Sequence, residues 1–175
     1  ERWGRLDFVI HSIAFAPLAE LQGRLTDTTS GGFGLAMDVS CHSFMRMAKL
    51  AEPLMREGGS LICMTYHGAD QAVENYNLMG PVKAALESST RYMAAELGPK
   101  GIRVNAISPG PIRTRAASGL KDFETLAQDG EANSPLRRLV TVDDIGNTAA
   151  YLIADAGAGV TGGIHYVDAG HHVQF

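Results

Sequence analysis

Apolar positions along the chain fall into short continuous runs and longer stretches of helical period, and their alternation predicts the architecture. "LDFVIHSI" (Leu6 to Ile13) is short, apolar and β-branched, as expected of a buried parallel strand, and it ends in a polar turn. From about Ser30 to Met55 the apolar residues recur with a helical period, which makes Phe33, Ala36, Met37, Phe44, Met47, Ala48 and Leu50 core candidates. "GGSLICMTY" predicts a second buried strand from Ser60 to about Thr65. A long helix follows from about Asn75 to Leu97, closed by Gly98-Pro99. "GIRVNAIS" predicts a third strand, and the mixed segment from Ser108 to Arg138 is too long for a simple connection. Thr141 and Asp144 have the spacing of a capping box at the start of a further helix, and "GGIHYVDAG" predicts a fourth strand.

This order predicts an α/β fold: a Rossmann-like parallel sheet with helices on both faces. In such sheets the ligand lies at the carboxyl ends of the strands, so Ser12 to Ala16, Thr65 to Gly68 and Ser108 to Thr114 are the stretches to inspect. No glycine-rich phosphate loop follows a strand near the start of the chain. The expectation is a single partial domain over residues 1–175, the second half of a larger one, with the first, phosphate-binding βαβ half missing. Residues 109–136 are expected to form a substrate-binding lid.

Composition narrows the function classes. With 45% hydrophobic and 19% charged residues in 175, the chain is suited to one domain with a substantial core. A net charge of −4 gives no general reason to bind nucleic acid or an anionic membrane. Arg113, Arg115, Lys121, Arg137 and Arg138 fall in one third of the chain as a local basic patch, and the cluster of Arg113, Arg115 and Lys121 reads as a solvated face or as a surface for an acidic partner protein. Cys41 and Cys63 lie in apolar settings with no metal or disulfide spacing, so buried free thiols and a reducing cytoplasmic setting are expected. No apolar stretch reaches the roughly 20 residues of a membrane span. His171 and His172, without a third ligand nearby in sequence, read as a solvated terminus, and no metal site is expected.

The chemistry concentrates in "ENYNLMGPVK", where six residues separate Tyr76 from Lys83. On a helix these two side chains would be about two turns apart and share a face. Pro81 lies between them, so either the helix starts near Gly80 or it is kinked.

Four motifs, "HSIAFAP", "TYHGADQAVENYNLMGPVKAALE", "RVNAISPGPIRTRAASGLKDF" and "TGGIHYVDAG", together resemble the later portion of the NADH-dependent enoyl-acyl-carrier-protein reductases of bacterial fatty-acid synthesis, a divergent branch of the short-chain dehydrogenases. The specific element is Tyr-x6-Lys, because ordinary short-chain dehydrogenases have Tyr-x3-Lys and Met79 occupies that nearer position here. The resemblance implies hydride transfer from NADH to the trans-2 double bond of enoyl thioesters on acyl carrier protein, with NADPH left open. In that reaction hydride adds at Cβ and charge develops on the carbonyl oxygen two atoms further along, so a displaced donor makes chemical sense.

By the same resemblance Tyr76 stabilises the enolate, Lys83 holds the nicotinamide ribose, and Tyr66 stands in a supporting catalytic place. Ser12, Ile13, Ile112 and Thr114 would line the cofactor, while Ala14, Phe15, Met79, Ala116, Ala117, Leu120 and Phe123 would line the acyl substrate. Asp38 stands where ordinary relatives carry an asparagine, a departure that fits the enoyl branch. The family forms homotetramers, which places the segment around "TGGIHYVDAGHHV" between subunits. Two alternatives stay open: a carbonyl-reducing short-chain dehydrogenase and a non-catalytic oligomerising relative.

Overall fold

The computed structural model describes residues 4–112 and 123–174. Four strands, β1 (Phe8–His11), β2 (Gly59–Met64), β3 (Ile102–Pro109) and β4 (Ile164–Val167), form one sheet in the order β1-β2-β3-β4. Every neighbouring pair is parallel, with His11 opposite Cys63, Met64 opposite Ile107 and Pro109 opposite Val167. This register brings the carboxyl ends of the strands to one edge of the sheet. The helices are α1 (Leu18–Gln22), α2 (Ser30–Met37), α3 (Ser43–Ala51), α4 (Met79–Leu97), α5 (Phe123–Asn133) and α6 (Val142–Ile153).

Burial on both faces explains why the strands read as continuous apolar runs. Leu61 and Cys63 of β2, with Val104 and Ala106 of β3, join Phe44, Val82 and Leu86 in one core. The intervening Ile62 and Ile107 join Ile145, Ala149 and Leu152 of α6 in a second core. The alternation is the pleat of the sheet, with α3 and α4 on one face and α6 on the other. Thr141 caps α6 reciprocally: its Oγ1 accepts from the Asp144 N–H at 3.1 Å, and Asp144 Oδ2 accepts from the Thr141 N–H at 2.8 Å.

The predicted helix over residues 30–55 is divided by a π turn, Asp38–His42, between α2 and α3. Buried positions therefore step by four, through Gly32, Ala36, Ser40, Phe44 and Ala48. That phase corrects the core prediction for Phe33 and Leu50, which are 44% and 72% exposed, while Ala36, Phe44 and Ala48 are buried as expected. Met37 packs at the margin of the core.

The second helix begins at Met79 and not at Asn75, because Asn75 and Asn77 have left-handed backbones with φ of 61° and 32°. Pro81 thus falls in the first turn, where an N–H has no helical partner to lose, and α4 is not kinked there. His171 and His172 are also unlike a solvated terminus. They open a 3-10 turn, His171–Gln174, in which His171 is buried and His172 stacks on Tyr166 with ring centroids 4.0 Å apart. Asp168 organises this turn by accepting from the N–H groups of Gly170 and His172 at 3.0 and 2.8 Å.

Candidate active site

The stretches that leave β1, β2, β3 and β4 surround one end of the sheet, and the side chains with chemical capacity gather there. Tyr66 and Tyr76 meet edge to face with ring centroids 4.8 Å apart, and Tyr66 meets His67 at the same separation. A Cβ on Gly68 would lie 2.6 Å from Cδ1 of Tyr76 and 3.2 Å from Cδ1 of Tyr66, so the missing side chain is what lets the two rings approach.

Tyr76 does not share a helix with Lys83, which corrects the expectation of a common helical face. It sits in the turn before α4, between the two left-handed asparagines, whose short polar side chains tolerate that conformation better than most. The Asn77 amide donates to the carbonyls of Leu21 and Gly23 at 3.1 and 2.8 Å and ties the turn to α1. Met79 opens α4, and Lys83 follows one turn later on the same buried side; both are 5% exposed. Lys83 Nζ donates to the Met64 carbonyl at the end of β2, at 2.6 Å. An ammonium has three donors, so this bond leaves two free for a ligand.

Burial sets the ionisation of the cluster. It pushes the Tyr66 phenol up to about 12 and Tyr76 higher still, with Tyr66 and Glu87 adding smaller contributions to Tyr76. Both are neutral hydrogen-bond donors at neutral pH. Burial also lowers the pKa of Lys83, opposed by Cys63, Cys41 and Glu87. Glu87, one turn beyond Lys83, is buried and accepts from Thr65 Oγ1 at 2.7 Å; burial is the main cause that raises its carboxyl. The Tyr66 hydroxyl is buried with no hydrogen-bond partner among the described residues, as is that of Ser108 on β3. Two orphaned hydroxyls beside a part-used ammonium suit a polar ligand at this edge.

The remaining predicted residues divide clearly. Ser12, Ile13, Ala14 and Phe15 follow β1 and are exposed, with Ile13 at 46% and Phe15 at 50%. Ile112 is half-buried against the α6 core. Thr114, Ala116, Ala117 and Leu120 lie outside the described residues, as do Arg113, Arg115 and Lys121, and Phe123 opens α5. Asp38 does not reach the site: it is on the exposed side of the π turn, bound to Arg46 and His42. Ser40 and Cys41 are the buried residues of that turn, and Ser40 bonds the backbone of Phe15. Sequence reasoning missed Ser40 and Glu87 and included Gly68 only as the end of a stretch to inspect; the Asn-Tyr-Asn and Tyr-x-Gly strings alone signalled the local geometry. The spacing G-x-G-x-x-G does occur at residues 157–162, but it leads from α6 into β4 instead of from a strand into a helix. Among the described residues no group of three metal-ligating side chains converges, both cysteines are free and buried, and no helix is long and apolar enough to cross a membrane.

A family model described as enoyl-(acyl carrier protein) reductase matches residues 1–172. Among curated proteins, the enoyl-[acyl-carrier-protein] reductases [NADH] 2 and 1 of Rhizobium meliloti are 52% and 50% identical, over 99% and 98% of this chain. The chain spans 65% and 63% of their lengths. A crystal structure of the reductase of Anaplasma phagocytophilum in complex with NAD superposes with a TM-score of 0.94 at 51% identity, covering 98% of this chain and 66% of that one. The Bacillus cereus reductase, solved with NADP+ and an indole naphthyridinone, gives a TM-score of 0.95 at 45% identity, with 97% and 66% covered.

Proposed function

The chain belongs to the enoyl-(acyl carrier protein) reductase family, and from that membership we propose that the protein carrying it reduces the trans-2 double bond of enoyl thioesters on acyl carrier protein, with NADH, in fatty-acid elongation. The observation that carries the reading is the placement of Tyr76 against Tyr66, beside a buried lysine held at the end of β2. A bound nicotinamide supplies hydride to Cβ. Tyr76 acts on the other end of the conjugated system: its neutral phenol donates a hydrogen bond to the thioester carbonyl oxygen and stabilises the charge that develops there. Tyr66 packs the Tyr76 ring in place and offers its own orphaned hydroxyl to the same region. Lys83, with one proton on Met64 O, turns its remaining donors to the ribose hydroxyls of the cofactor.

Ser12, Ile13, Ile112 and Thr114 complete the cofactor wall in this reading, and Ala14, Phe15, Met79, Ala116, Ala117, Leu120 and Phe123 line the acyl chain. Residues 109–136 are the lid in this reading, and α5 belongs to it. NADH is the cofactor the curated relatives' names give, while the Bacillus cereus structure holds NADP+, so both are to be assayed. A cytoplasmic homotetramer belongs to the same reading.

The test uses the intact gene product with a crotonyl thioester. Tyr76→Phe is expected to keep NADH affinity and to slow reduction by about 10²–10³, the usual loss of an oxyanion donor. Lys83→Met is expected to weaken NADH binding instead, since charge-assisted bonds contribute about 1.5–3 kcal/mol each. Unchanged turnover in Tyr76→Phe, together with reduction of β-ketones, would favour a carbonyl-reducing enzyme; no NADH binding by the wild type would favour a non-catalytic relative.

A further inference from the structure

The π turn between α2 and α3 is an irregularity with a definite hydrogen-bond consequence. In an unbroken α-helix the Val39 carbonyl would accept from the Ser43 N–H. Here the Ser43 N–H reaches back five residues to the Asp38 carbonyl, and Ser43 Oγ donates to the Val39 carbonyl at 2.6 Å in its place. With its proton committed, Ser43 Oγ remains an acceptor, and His11 Nε2 lies 2.6 Å away at the end of β1. The network assigns the proton of that bond to Nε2.

Three residues earlier, fully buried Ser40 holds the other end of the same loop. Its Oγ accepts from the Phe15 N–H at 2.9 Å and donates to the Phe15 carbonyl at 3.0 Å, so both backbone polar groups of Phe15 end on one hydroxyl. Phe15 itself is 50% exposed. His11 and Phe15 bracket Ser12, Ile13 and Ala14, which therefore run between two fixed points supplied by consecutive turns of one irregular helix.

We infer that the π turn Asp38–His42 is a clamp that sets the loop 12–16 against the active site, and that Ser40 is the positioning residue through which it acts on substrate. This rests on the enoyl reductase reading above. Ser40 touches no reacting atom; it fixes the backbone from which Ala14 and Phe15 face the acyl group, and an error of about 1 Å in such a wall is enough to cost 10²-fold. Alanine at this position would leave a buried amide and carbonyl without partners.

The experiment compares Ser40→Ala, the somewhat larger and weakly bonding Ser40→Cys, and the hydroxyl-retaining Ser40→Thr in the intact gene product. For Ser40→Ala, and for Ser40→Cys should the alanine variant not fold, the KM for crotonyl thioester is expected to rise about tenfold or more with kcat within about threefold. Ser40→Thr should recover most of the loss. Amide exchange at Phe15, whose N–H has Ser40 as its one acceptor among the described residues, should quicken at least about tenfold while Ile62 and Val104 keep their protection. Faster exchange with an unchanged KM would reduce the bond to a structural one and overturn the inference, as would unchanged exchange. Failure of the parent reading is distinguishable, because then the wild type itself reduces no enoyl thioester and both fall together.

Discussion

At the scale of single residues, the approach of Tyr66 to Tyr76 depends on an atom that is missing. Gly68 needs no unusual backbone here; its role is to leave room, since any Cβ would come within 2.6 Å of the Tyr76 ring. Gly68→Ala in the intact protein is expected to cost about 1–3 kcal/mol of stability through overpacking. Displacing the phenol should also lower kcat at least about tenfold with NADH affinity retained. Thermal melting and steady-state rates on the purified variant check both, and a rate equal to wild type would show that Tyr76 is not held by this contact. Lys83 illustrates the converse case, a side chain placed by what it bonds: its ammonium is kept at the end of β2 by one carbonyl, against a burial that disfavours its charge.

At the scale of elements, the carboxyl edge of the sheet collects histidines whose protonation opposes folding. Burial is the largest cause lowering the pKa of His67, helped by His171 and His172 and opposed by Asp168 and Asp70. His11 is lowered by burial and then by Lys83, against its own backbone, and His165 by burial. Each folded-state pKa lies below its unfolded value, so the folded chain binds fewer protons in the window between them. The stabilisation is complete above an unfolded value of about 6.5 and is lost as pH falls below it. Glu87, raised by burial, works in the opposite sense, while Asp38 and Asp144 are lowered and act only below about pH 4. The melting temperature of the intact protein should therefore fall between about pH 7 and pH 5. In His67→Phe, whose ring keeps the aromatic packing against Tyr66, the fall should be shallower. Parallel profiles for the two proteins would remove His67 from this account.

At the scale of the whole molecule, α3 and α4 leave large apolar side chains in water. Leu50 on α3 is 72% exposed and Tyr92 on α4 is 78% exposed, and Val173 in the last turn is 62% exposed. Exposed apolar side chains of this kind agree with the proposed homotetramer. Sedimentation of the intact gene product at micromolar concentration is expected to give a tetramer, and Tyr92→Glu, further along α4 from Lys83, to shift it to smaller species. A stable wild-type monomer would exclude the arrangement.

The sequence by itself determined the order of elements and the two-sided burial of the sheet, because continuous apolar runs, a capping box and helical periods are local patterns that the fold reproduces strand by strand. It also carried the chemistry of the site, since the identities and spacing of Tyr76 and Lys83 are chemical facts that no packing alters. Tertiary structure decided how those residues meet. The helical face assumed for Tyr76 and Lys83 gave way to a left-handed turn anchored on α1 by Asn77, a contact with Leu21 and Gly23 more than fifty residues away in sequence. Phe33 and Leu50 left the core because one π turn changed the phase of a helix, and the same turn puts Ser40 on its buried side and Asp38 on its exposed side. Periodicity assumes uniform geometry along an element, so it cannot register an inserted residue whose backbone bonds are repaired by a serine hydroxyl. Nor can it foresee that His171 is buried against the ring of His67, because that contact joins segments about a hundred residues apart that only folding brings together.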